Sequence, residues 1–211
     1  MATQQNLFAY LARQKQDFIK GFKEPAGYPV GVQDPAQTSR SLSVAATWCW
    51  DPAVPQNAFV RTVAGHDDEY WVRTDFQDYR EAFLAFLGRR HGVARASVPG
   101  ALHADHLLNK AFALRHGLRY VRMALVWADY NVGYGSKIEK NLTKSDAQGK
   151  PIYLIDYIIL MKVLNIPAPI DANDYKRRRE EIASRLEAEG AESRELALQG
   201  MDGFFKLWQV I

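Results

Sequence analysis

The chain has 211 residues, 27 Lys and Arg against 24 Asp and Glu, and one cysteine. That length is ample for a sizeable core, and a composition 47% hydrophobic and 12% aromatic is globular, which excludes a disordered chain. Cys49 alone excludes an internal disulfide and any zinc site built on a cysteine pair, and it fits a reducing folding compartment.

The segment MATQQNLFAYLARQKQDF is polar and amphipathic, without the apolar run of a signal peptide. The greasiest stretch, Ile152 to Ile166, contains Asp156, Lys162 and Asn165, so it is too short and too polar to span a bilayer. The expected location is the cytoplasm, or outside the cell by a route without a cleavable signal peptide, with no membrane partner. Charge is unevenly placed. Arg89 to Lys144 carries ten Lys/Arg against three acids, a net +7, and the remainder of the chain is −4. A basic middle in a mildly acidic chain points to an anionic partner, although solvated helix faces also produce such runs.

Thr3 can cap a first helix, in which Leu7, Phe8, Leu11, Phe18, Ile19 and Phe22 recur at helical spacing until Glu24-Pro25. Residues 25–57 are rich in Pro, Gly, Ser and Gln and contain one strand, Leu42 to Trp50. Phe59 to Val63 and Glu69 to Arg73 read as a hairpin around Gly65-His66-Asp67-Asp68. A second helix runs from Asp75 to Arg90, with Gly92 just past its end. After a basic link over 93–102, the period predicts a helix from Asp105 to His116. Arg119 to Trp127 is a strand, Asp129 to Gly135 a turn, and Ser136 to Leu142 a helix opening on a capping box. A helix starts at Pro151 and is broken by Pro167 and Pro169. A charge-laced helix follows from Asp174 to Glu189, and two short segments close the chain.

The expected fold is α+β, a single domain over 1–211. A small, mostly antiparallel sheet, built from the 42–73 region and the 119–127 strand, is surrounded by helices, with a helical part over 151–211. Residues 145–150 read as a loop and not as a domain linker.

The densest polar cluster is His103-Ala104-Asp105-His106, followed downstream by Asn131-Val-Gly133-Tyr-Gly-Ser-Lys137-Ile-Glu139. A His beside a carboxylate can act as a general base, and Asn and Glu oxygens suit a hard cation such as Mg²⁺. Phosphodiester hydrolysis needs an activated water, a metal at the scissile phosphate and a positive surface for the backbone. All three sets of residues sit in the basic middle.

Asn131 to Glu139 resembles the Asn-x-Gly-x-x-x-x-Leu-Glu segment of the DNA/RNA non-specific endonuclease family, within the wider HNH-like, ββα-metal nuclease superfamily. The Asn-to-Glu step of eight residues, the Gly two after Asn and the Lys-aliphatic-Glu ending match. The resemblance covers roughly 103–141, under a fifth of the chain, and its motif is short. It implies a ββα-metal-like core within 100–142 and a metal-dependent nuclease. In that enzyme His106 would be the general base, with Asp105 beside it. Asn131 would be a metal ligand or the residue orienting the His, and Glu139 a direct or water-bridged ligand. The cofactor would be Mg²⁺ or Mn²⁺, the substrate DNA or RNA. The implied roles are a bacterial toxin or a phage-related enzyme, with an immunity or inhibitor protein as a further partner.

The family places Arg and Gly between its Asp and His, which are adjacent here as in HNH proteins. HNH proteins in turn carry His or Asn where this chain has Glu139. The pattern leaves open which of His103, Asp105 and His106 touches metal. Arg119, Arg122, Lys137 and Lys140 are candidate phosphate contacts. Each residue also has a plain structural reading: Asp105 as a helix cap, His106 as a first-turn residue, Asn131 and Gly133 as turn residues at positive φ, Glu139 as the capping partner of Ser136. On that reading the chain is a non-catalytic interaction or structural protein, or a module that binds phosphate backbones.

Other features carry less. His66-Asp67-Asp68-Glu69 has metal-like ligands but sits where a hairpin turn belongs. Trp48 and Trp50 share a strand face and read as core or partner packing rather than base stacking. Cys49 lacks a basic neighbour. Lys176 to Arg179 is followed at once by Glu180 and Glu181, a self-paired helix face. There is no P-loop, no dinucleotide fingerprint and no Gly-x-Ser-x-Gly elbow.

Overall fold

The computed structural model describes residues 2–42, 45–134 and 151–207. Helix α1 (Ala2–Phe22) leads through a turn at Gly27 into strand β1 (Pro29–Val32) and helix α2 (Pro35–Leu42). A three-stranded meander follows, β2 (Ala46–Trp50), β3 (Ala58–Val63) and β4 (Glu69–Arg73). Then come α3 (Tyr79–His91), β5 (Leu102–His106), α4 (Lys110–Arg115), β6 (Tyr120–Trp127) and α5 (Ala128–Tyr134). The chain resumes with β7 (Ile152–Leu154), α6 (Tyr157–Val163), α7 (Ala172–Ala188) and α8 (Arg194–Leu207).

The seven described strands form one antiparallel sheet in the order β2-β3-β4-β6-β1-β7, with β5 also paired to β6. β6 is the hub. Its first half lies between β4 and β1, and its second half pairs with β5. The sequence explains this place, because Tyr120 to Val126 is buried on both faces. The expected α+β class is thus observed, with an antiparallel sheet, helices around it and a helical C-terminal part.

Two cores result. Leu84, Phe83 and Leu87 of α3 pack with Val72, Val121, Met123 and Leu125 of the sheet. Leu160 and Met161 of α6 pack with Ile182 and Leu186 of α7 and with Met201 and Phe205 of α8. The charges of α7 pair locally, Arg178 with Asp174 and Glu181, and Arg179 with Asp202 of α8. No described helix is long and apolar enough to cross a membrane.

α1 is bound to the sheet by polar contacts as well as apolar ones. Its inward face carries Leu7, Gln14, Asp17 and Phe18. Asp17 accepts from Arg122 of β6 at 2.7 Å, from Tyr28 at 2.6 Å, and pairs with His66 at 2.7 Å. The Arg122 guanidinium lies over the rings of Phe18 and Tyr28, at 4.2 and 4.6 Å. Glu69 sits 3.7 Å from it and accepts from Arg61 and the Trp71 indole. Burial alone would raise the Asp17 carboxyl, but Arg122 and its hydrogen-bond donors hold it below its ordinary value.

Several expectations are corrected. β1 lies in the Pro- and Gly-rich segment read as loop, where pairing with β6 and β7 supplies what local propensity lacks. Residues 35–42 form α2, because Asp34 caps it through Ala36 N–H and Pro35 suits the first turn. The helix expected from Pro151 is a short strand, since 152–154 completes the sheet beside β1; α6 starts only after Asp156 caps Ile159 N–H. The closing segments form the single helix α8, recruited by packing on α7. The Ser136–Leu142 helix lies outside the described residues.

Gln14 does the work of a strand residue. Its amide donates to Leu125 O and accepts from Leu125 N–H, both at 2.9 Å, on the β6 edge that β5 does not occupy. Gln14→Leu leaves a buried N–H and a buried C=O unpaired and is expected to destabilise by about 3 kcal/mol. Urea unfolding checks this: the midpoint falls while the slope is unchanged.

Candidate functional site

β5 pairs antiparallel with β6, with His103 opposite Val126, Asp105 opposite Ala124 and His106 opposite Met123. α5 follows β6 directly and packs on both strands. The helix expected over Asp105–His116 is thus corrected. Residues up to His106 are extended, and α4 begins after Asn109, whose Oδ1 accepts from Ala111 and Phe112 N–H. Cross-strand pairing with the buried β6 overrides a helical spacing that was present in the sequence. The turn expected at 129–135 is corrected as well: 128–134 is α5, and neither Asn131 nor Gly133 has positive φ.

Alternation along β5 sorts the cluster onto two faces. His103 and Asp105 point towards α5 and α6. His103 Nδ1 lies 3.5 Å from the Asn131 amide nitrogen. Asp105 lies 2.6 Å from Nζ of Lys162, a side chain on α6 with 1% exposure. Leu102, Ala104 and His106 share the opposite face, and the His106 ring packs 4.1 Å from that of Tyr79 at the start of α3. Its Nε2 is buried without a hydrogen-bond partner among the described residues. Burial depresses its pKa to about 4; the nearby Asp105 works against the shift, Lys110 and Lys162 with it.

The structure therefore brings His103 and Asn131 together, seats Asp105 beside them in an ion pair, and turns His106 away. Glu139, Lys137 and Lys140 lie outside the described residues. Arg119 is exposed just before β6. Arg122 is corrected as a phosphate contact: it is 4% exposed, because its strand position points beneath α1 to Asp17 and Glu69. No cluster of three or more His, Cys, Asp or Glu side chains suited to a metal occurs among the described residues, at 66–69 or here.

Sequence reasoning missed Lys162 and the Asp17–His66 pair. Lys162 stood out only as an interruption in an apolar run, which is the signal a buried ion pair leaves. His66 read as a turn residue, yet its Nδ1 meets Asp17 and its ring stacks on Tyr28 at 5.0 Å. The available signal was on α1, where Gln14 and Asp17 interrupt the apolar face at helical spacing. Comparison with known proteins finds no matching family model, no matching curated protein and no matching solved structure.

Two outcomes follow from the geometry. Below pH 6.5 the unfolded chain protonates at His106, whereas the folded chain does not until about pH 4. This group's share of stability is whole above pH 6.5 and is lost as the pH falls towards 4, and His106→Phe removes that part of the slope. Thermal melts of both proteins between pH 7 and 4 measure it. Asp105→Asn takes from a buried ammonium its carboxylate and is expected to cost on the order of 3 kcal/mol in denaturant unfolding.

Proposed function

We propose that this protein hydrolyses nucleic-acid phosphodiester bonds at the β5–β6–α5 unit. The observation that carries the reading is the strand–strand–helix order, which sets His103 of β5 against Asn131 of α5 within the basic stretch of the chain. With the Asn131 amide turned so that its oxygen accepts from Nδ1–H, His103 Nε2 keeps its lone pair. That nitrogen then takes the proton of the attacking water as its oxygen bonds to phosphorus and the ester oxygen leaves. His106, buried and turned towards α3, serves the fold in this reading.

The described donors do not by themselves fit a metal. Mg²⁺ takes six oxygen ligands, and the Asp105 carboxylate beside His103 is held by Lys162. Metal dependence enters the proposal through Glu139, which the motif resemblance supplies. A toxin or phage-enzyme role, with an immunity protein as partner, rests on the same resemblance.

The test is degradation of plasmid and total RNA with Mg²⁺ or Mn²⁺, with and without EDTA. Cleavage by the wild type is expected to fall at least 100-fold in His103→Ala and in Asn131→Ala, and to persist in His106→Phe. No cleavage by folded wild type with either metal overturns the proposal. A second reading, a non-catalytic module that binds phosphate backbones, is favoured by the neutralisation of Asp105. It predicts salt-sensitive binding that survives both EDTA and His103→Ala.

A further inference from the structure

The two tryptophans of β2 share a face but not a fate. Trp48 donates its indole N–H to Ser39 of α2 and packs against Trp71 at 5.3 Å, so it is tied into the fold. Trp50 is 45% exposed, and its indole N–H meets no acceptor among the described residues. Its ring lies nearly parallel to Phe59, 3.7 Å between centroids and 22° between planes. Tyr120 packs edge-on against Phe59 at 4.8 Å and against Trp50 at 6.3 Å. The stack holds the indole rigid and leaves it accessible.

Beside it stands Arg119, exposed and without an ion pair among the described residues, its guanidinium 6.0 Å from the Tyr120 ring. Trp50, Phe59, Tyr120 and Arg119 line one open cleft of about 460 Å³ together with Gln33 and Gln37. The acid of this cleft, Asp34, is engaged at the start of α2, where it accepts from Ala36 N–H. A second groove continues past Arg119, and its Arg73 is paired with Asp75.

A fixed aromatic face next to an uncommitted guanidinium matches a base and its phosphate. Carbohydrate would use the ring but not the charge. Base stacking on an aromatic side chain contributes about 1–3 kcal/mol, and it needs a base already out of a duplex. We propose that this cleft binds single-stranded nucleic acid, one base stacked on Trp50, its phosphate on Arg119 and its edge within reach of the Gln33 and Gln37 amides. The cleft stands at the opposite end of β6 from His103. Tyr120 and Val126 are six residues apart, about 20 Å along a strand, so a ligand touching both ends is an oligonucleotide. The inference goes beyond the hydrolytic reading and stands without it, since a base is held with or without cleavage.

The experiment is fluorescence anisotropy with labelled single-stranded oligo-dT and oligo-U and with a DNA duplex, all in EDTA so that binding is read apart from hydrolysis. The single strands are expected to bind at least tenfold more tightly than the duplex. Trp50→Ala weakens them about 5- to 150-fold, and Trp50→Phe restores most of the affinity. Arg119→Gln lowers the slope of log affinity against log salt by about 0.7. Should Trp50→Ala fail to fold, Trp50→Phe and Arg119→Gln against wild type still decide, through quenching of Trp50 fluorescence by ligand and through the salt slope. Duplex bound as tightly as single strand, equal affinity in Trp50→Ala, no change in salt slope, or no binding by folded wild type overturns the proposal.

Discussion

The buried guanidinium of Arg122 is the constraint around which the sheet is arranged. A charge at the centre of the hub strand requires partners from elsewhere in the chain, and they come from distant places: Asp17 from α1, Glu69 from β4. Arg61 and His66 then complete the two carboxylates. The cluster fixes register as well as charge, because a slip of one residue in β3, β4 or β6 would turn one of its members to the other face. Such networks specify one arrangement more than they add stability: the desolvation of each ion offsets most of the attraction.

The same alternation that serves this cluster divides the motif in β5. A His-Ala-Asp-His run is read along the chain as one site, but a strand shows its residues to two sides. The face towards α5 and α6 receives His103 and Asp105, and the face towards α3 receives His106. Had the run been helical, Asp105 and His106 would have lain within 100° of each other around one axis. Secondary structure here decides which chemistry the residues can share.

The sequence made legible what periodicity and turns express. The first helix, the hairpin around Gly65, the α3 helix with Gly92 past its end and the buried β6 were all visible in it. Elements held by distant partners were not. β1 and β7 are four and three residues long, too short for an alternation to show, and they are held by pairing, β1 with β6 and β7 with β1. The His103–Asn131 neighbourhood arises from the order strand, strand, helix, where the sequence read as helix, strand, turn, and the faces of Asp105 and His106 depend on an extended conformation that their spacing did not announce. Lys162 required knowledge of what α6 packs against.

Gln14 carries one further consequence. Beyond the reach of β1 and β4, the edge of β6 opposite β5 is closed at Leu125 by a side-chain amide rather than by a strand. α1 is therefore the guard of an otherwise open ladder. Any event that lifts this helix uncovers, within the apolar run from Met123 to Val126, the unpaired backbone groups that recruit foreign strands. The first helix thus covers a sheet edge as well as contributing to the core, and cutting it away would leave at Leu125 a place for a further strand to add.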